Sequence, residues 1–256
     1  MSYAKSLPAW GALASLARKA LAIALVGGAG VASAGYVTVD EAGMDAIFSQ
    51  GSFASSVTPF SLFDIDIRFN APLSIVAPLL LDINDDAEFN GSSNSLSALA
   101  NTLGVPNFTV SVFFVDKISH CGGPGSNIIG CGSNPGGLIA VNSGAAAGAN
   151  GAVLMAHELG HNLGLSHLEV SGNLMNSSIT GATTLSAAQV GSFVNLTTGA
   201  SLSPIVRIDA GQLYISITPI AVLAAAPVPE PATWAMLSLG LLGVAGWARR
   251  RRACAV

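Results

Sequence analysis

The spacing of apolar and polar residues changes several times along this chain, and each change marks an element. The stretch "FDIDIRFN" (63–70) alternates and predicts a strand. "SLSALANTLG" (95–104) has helical spacing and ends in glycine. "FTVSVFFVDKI" (108–118) is a run of β-branched and aromatic residues that predicts a buried strand, and "GLIAVNS" (137–143) predicts a shorter one. "ANGAVLMAHELGHNLG" (149–164) is the clearest helix, and "SAAQVGSFVNL" (186–196) is a later one. "PIVRIDAGQLYISITPI" (204–220) predicts a hairpin turning near Asp209-Ala210-Gly211. Strands leading into one central helix indicate an α/β (α+β) domain, a mixed sheet backed by helices. It is assigned residues 35–222.

The two ends break this pattern. Residues 1–34 have the form of a secretory signal peptide: a basic start ending at Arg18-Lys19, an apolar stretch (20–31), and Ala32-Ser33-Ala34 before Gly35. Signal peptidase is the implied partner. At the other end, a proline-rich linker (223–231) precedes an uncharged apolar run (232–248) and a basic tail (249–256) containing Arg249 to Arg252. That run is the short end of a single transmembrane helix, which needs about 20 residues. The arginines would hold its end in the cytoplasm, so both ends predict an exported middle.

Charge sharpens the contrast. The chain is 51% hydrophobic and only 9% charged, with a net charge of −4. Between Gly35 and Pro231 the only basic residues are Arg68, Lys117 and Arg207, whereas all 14 acids lie there. No basic footprint for neutralising phosphates exists, which excludes a nucleic-acid partner. Cys121 and Cys131 bracket the glycine-rich "CGGPGSNIIGC". In an oxidising compartment they suit a disulfide, with two free thiols as the other reading.

The chemistry concentrates in "HELGHNLGLSH" (157–167), which holds three of the chain's four histidines. On a helix His157 and His161 are one turn apart on the same face and can converge on one cation. Zn²⁺ suits imidazole nitrogens. Glu158 lies beside that face and can act as the catalytic general base to a metal-activated water. Gly164 can end the helix and turn the chain, letting His167 return as third ligand. Three protein ligands leave the fourth position open, as in catalytic rather than structural zinc sites.

His-Glu-x-x-His-x-x-Gly-x-x-His resembles the signature of metzincin zinc metallopeptidases. The resemblance implies an endopeptidase acting on polypeptide substrates, with a zincin-like mixed sheet and active-site helix. His157, His161 and His167 are implied as ligands and Glu158 as base. Met175 in "GNLMN" is the implied hydrophobic floor of a Met-turn, where an ordinary core methionine is the plainer reading. Leu168 replaces the Asp typical of adamalysin-like members, and Asn176-Ser177 leave no Tyr after Met175, so no subfamily is assigned. The C-terminus resembles the PEP-CTERM sorting signal in Pro229-Glu230-Pro231, the apolar run and the basic cluster. That implies an exosortase-type enzyme, and a mature protein anchored at, or released to, the envelope or extracellular matrix.

Weaker features remain. "DINDDAEFN" (82–90) concentrates oxygen ligands, which suits Ca²⁺, but Ala87 stands where an EF-hand needs Gly, and a solvated acidic helix start is the plainer reading. His120 has no further histidine near it in sequence and reads as loop packing. "GLIAVNS" is the candidate edge strand for pairing with substrate backbone. The competing functional class is a non-catalytic envelope or exopolysaccharide-matrix binding protein, for which Glu158 would have no use.

Overall fold

A computed structural model of the chain describes residues 39–49, 64–90, 94–196, 198–225, 236 and 238–242. The described residues from Val39 to Ala225 belong to one compact unit. The signal-peptide stretch and Pro229-Glu230-Pro231 lie outside the described residues. Of the apolar run, Met236 and residues 238–242 are described, and they are helical and exposed. Among the described residues no helix is long and apolar enough to cross a membrane.

The main unit contains helix α1 (Glu41–Phe48), strands β1 (Ile65–Phe69), β2 (Leu73–Val76) and β3 (Asp82–Ile83), and helices α2 (Asp86–Phe89) and α3 (Ser95–Thr102). Strands β4 (Val110–Val115), β5 (Lys117–His120), β6 (Pro124–Ile128), β7 (Gly130–Gly132) and β8 (Leu138–Asn142) follow. The chain then forms helices α4 (Ser143–Ala146), α5 (Gly151–Asn162) and α6 (Ala187–Phe193) and strands β9 (Arg207–Asp209) and β10 (Gln212–Leu223). The larger sheet runs β1-β10-β4-β8-β7, with β2 and β9 also paired to β10. Strands β1, β10, β4 and β8 are mutually parallel, and β7 and β9 are antiparallel to their neighbours. A second sheet runs β3-β5-β6.

Strand β4, "VSVFFV", is buried at every position because helices cover both faces of the sheet. Its alternate residues serve two cores. Val110, Val112 and Phe114 join α1, α5 and α6 residues such as Phe48, Leu159 and Phe193. Phe113 and Val115 join Phe89 of α2 and Leu96 of α3. The period of two along a strand produces this division directly.

Three expectations change. The stretch 108–118 is not one strand: it divides at Asp116 into β4 and β5, which enter different sheets. "GLIAVNS" is not an edge: β8 is paired on both sides, and the edge is β7, a Gly-Cys-Gly segment with no apolar alternation to read. The hairpin turns where expected, with Ala210 at φ 48° and Gly211 at φ 87°. Its second strand, however, runs on to Leu223 and lies between β1 and β4 at the centre of the sheet.

Candidate metal centre

Helix α5 carries His157, Glu158 and His161 and is anchored at both ends. Its first residue, Gly151, leaves no room for a side chain, since a Cβ there would collide with the Ala146 carbonyl. At the other end Gly164 takes φ 92°, a left-handed value that favours glycine. Its N–H donates to the His161 carbonyl at 2.8 Å and Leu165 N–H donates to Gly160 at 3.0 Å. These two bonds form a Schellman cap, which reverses the chain and returns it toward the helix.

That reversal brings His167 to the other two histidines. Its Nε2 is 3.3 Å from His157 Nε2 and 3.2 Å from His161 Nε2. The outer nitrogens of the helical pair are already committed. His157 Nδ1–H donates to the Leu174 carbonyl at 2.8 Å, and His161 Nδ1–H donates to Leu165 at 2.7 Å. Both Nε2 atoms are therefore left as lone-pair donors. Burial holds His157 down to about 4 and also lowers His161, so both are neutral near pH 7. Lone pairs crowded together repel unless a cation sits between them. Tetrahedral zinc with bonds of about 2.0–2.1 Å would space its nitrogens by about 3.3 Å, so the residues present fit the ion. Among the described residues this is the only cluster of its kind.

Glu158 is 5% exposed and faces edge strand β7. A Cβ at Gly130 would collide with its carboxylate, and one at Gly132 would collide with its backbone carbonyl. Two glycines thus let β7 lie directly against α5. Burial pushes the Glu158 carboxyl up to about 8, opposed by a hydrogen bond from the Gly132 backbone. Between those glycines Cys131 is joined to Cys121, with Cα atoms 5.8 Å apart, so the expected disulfide pins the strand.

Met175 is fully buried beneath α5, and a Cβ at Gly160 would collide with its sulfur. Its turn is held by Asn173, whose side chain accepts from Met175 N–H at 2.9 Å and bonds Gln189 at 2.8 Å and 3.1 Å. The Met175 carbonyl accepts from Leu168 N–H at 2.8 Å, directly after His167. The turn therefore orients two histidines, one through Leu174 and the other through Leu168.

Sequence reasoning missed Gly130, Gly132, Asn173 and Gln189. Only the Gly-Cys-Gly spacing around one cysteine hinted at the first two. The acidic segment 82–90 is spent on local structure. Asp82 pairs with Lys117 at 2.9 Å, Asp85 and Glu88 form a capping box on α2, and Asp86 holds His120 at 2.7 Å. His120 stands apart from the metal cluster.

Residues 73–168 match the model for metallo-peptidase family M12B, reprolysin-like, and residues 227–252 match the PEP-CTERM protein-sorting motif. The first match ends just after His167, before Met175 and strand β10. No curated protein and no solved structure matches the chain.

Proposed function

We propose that the chain is an exported zinc endopeptidase in which His157, His161 and His167 hold the metal and Glu158 is the general base. The observation that carries this is three converging Nε2 atoms, two of them with Nδ1 committed to a backbone carbonyl, with a buried glutamate next to His157 on the same helix. Bound zinc supplies Lewis acidity and lowers the pKa of water to about 7.

The chain's own residues supply the rest. The Gly132 amide and the glycine-lined wall of β7 fix Glu158 in one orientation. With a dication held at the three nitrogens, the Glu158 carboxylate would be favoured in its charged form, placed to take a proton from the attacking water and return it to the departing amine. Met175 gives the ligand helix an apolar floor. The Leu174 and Leu165 carbonyls keep the two helical imidazoles from rotating.

Delivery follows from the ends. Residues 1–34 are removed by signal peptidase, 35–222 form the peptidase domain, and 227–252 are recognised by an exosortase-type enzyme while 232–248 anchor the chain in the membrane. The basic tail 249–256 stays in the cytoplasm. Deleting residues 228–256 should release or mis-sort the domain; unchanged membrane retention would contradict the anchoring. For the chemistry, the test is zinc analysis and cleavage of a broad panel of unfolded proteins, with Glu158→Gln as control. A non-catalytic matrix protein would be indifferent to that substitution.

A further inference from the structure

A second cleft lies where strand β4 begins, alongside β10. Strand β10 begins well before β4: Ile217 is the first β10 residue to pair with β4, opposite Val110. The overhanging part of β10 pairs on one side with β1 and on the other with β9, Tyr214 lying opposite both Asp66 and Arg207. Strand β9 and the loop before β4 therefore stand end to end along β10. Between them is a cleft of about 280 Å³, lined by residues that include Asn107, Phe108, Thr109, Arg207, Tyr214 and Ser216.

Several observations single this cleft out. Phe108 has φ 63° in a turn closed by Thr109 N–H donating to Pro106 at 3.3 Å. That conformation suits Gly or Asn, and a bulky aromatic there is strained. The residue gains little burial in return, remaining 56% exposed. Strain of this kind persists where the side chain is wanted for something other than the fold.

Arg207 lies over that ring, 4.8 Å from its centroid. Among the described ion pairs it has no carboxylate partner, although acids outnumber bases heavily in this domain. Arg68 makes the contrast: it stacks on Tyr214 at 4.2 Å but is neutralised by Asp66 at 2.6 Å and Asp209 at 3.0 Å. The side chains of Asn107, Thr109, Tyr214 and Ser216 make no hydrogen bond to other described residues. Among the described residues the cleft thus offers an exposed aromatic face, four polar side chains without a hydrogen bond and one guanidinium without a carboxylate partner.

We propose that this cleft binds an acidic oligosaccharide, one sugar ring stacking on Phe108 and a uronate carboxylate pairing with Arg207. Sugars present a face of C–H groups to an aromatic ring and hydroxyls to the amide and hydroxyl side chains around it. A planar guanidinium matches a carboxylate bidentately. The volume lies at the small end of ligand clefts, which suits a short saccharide rather than a folded partner. The assignment is independent of the peptidase reading, since none of these residues touches the histidine cluster.

The test is calorimetric titration of the full chain in detergent with trigalacturonic acid, a neutral glucose trisaccharide and an oligoglutamate peptide. The triuronate should bind, the neutral sugar more weakly and the peptide not at all. Arg207→Gln should weaken the triuronate at least about tenfold while leaving the neutral sugar unchanged. Phe108→Gly should abolish binding of both sugars with Tm unchanged or raised, because glycine tolerates the local backbone. The proposal is overturned by absence of triuronate binding, by equal binding of oligoglutamate, or by binding indifferent to both substitutions. A marked fall in Tm for Phe108→Gly would also overturn it, by making the ring structural.

Discussion

Two regions of the domain gather metal-binding residue types, and among the described residues only one of them brings three such ligand atoms together. In segment 82–90 the carboxylates are consumed: Asp85 and Glu88 cap a helix, Asp82 takes Lys117, and Asp86 takes His120 and Asn90. Around His157 and His161 the order is reversed. Backbone carbonyls consume the outer nitrogens, so that the inner ones stay available and point together with His167. Ligand density alone does not make a site; what matters is where each side chain's other valence is spent.

The comparison is broken most severely by removing a ligand. His161→Ala should abolish stoichiometric zinc binding and bring cleavage below detection, measured by metal analysis and a fluorogenic peptide assay. Next comes Glu158→Gln, which should retain zinc while kcat falls by about 10²–10⁴. Gly130→Ala tests the seat of that carboxylate. A methyl group at a position with no space for it should lower kcat by about 10–100-fold, as outer-shell changes do, with zinc still bound.

Cys121→Ser with Cys131→Ser frees β7, and the domain should lose about 2–3 kcal/mol in denaturant unfolding on the loop-closure model. Asp86→Asn is the smallest, because the His120 pair is exposed on its acid side. Asn90 and His120 hold the Asp86 carboxyl below its ordinary value. Its contribution is therefore present above the unfolded carboxylate pKa and disappears as pH falls through the lowered one. At pH 7 the variant should show a barely measurable shift in Tm and unchanged zinc content.

The histidine cluster was legible because its geometry is local. His157 and His161 need only the helical period, and Gly164 needs only a left-handed cap, so eleven residues encode the convergence. The hairpin at Asp209 to Gly211 was legible for the same reason. What escaped the sequence depends on partners far away. Nothing in the periodicity of β10 says that it will lie between β1 and β4, which are separated from it by most of the domain. Nor does "GLIAVNS" reveal that a glycine-rich neighbour will cover its outer edge. Gly130 and Gly132 acquire meaning only once Glu158 is packed against them, and Phe108 looks like an ordinary strand residue until its backbone angle is known.

The most direct measurement is paired zinc content and peptide cleavage on the full chain and its Glu158→Gln variant. One zinc per chain in both proteins, with cleavage confined to the unaltered chain, is the predicted result. Absence of zinc from the unaltered chain, or equal cleavage by the variant, would contradict the assignment of this centre.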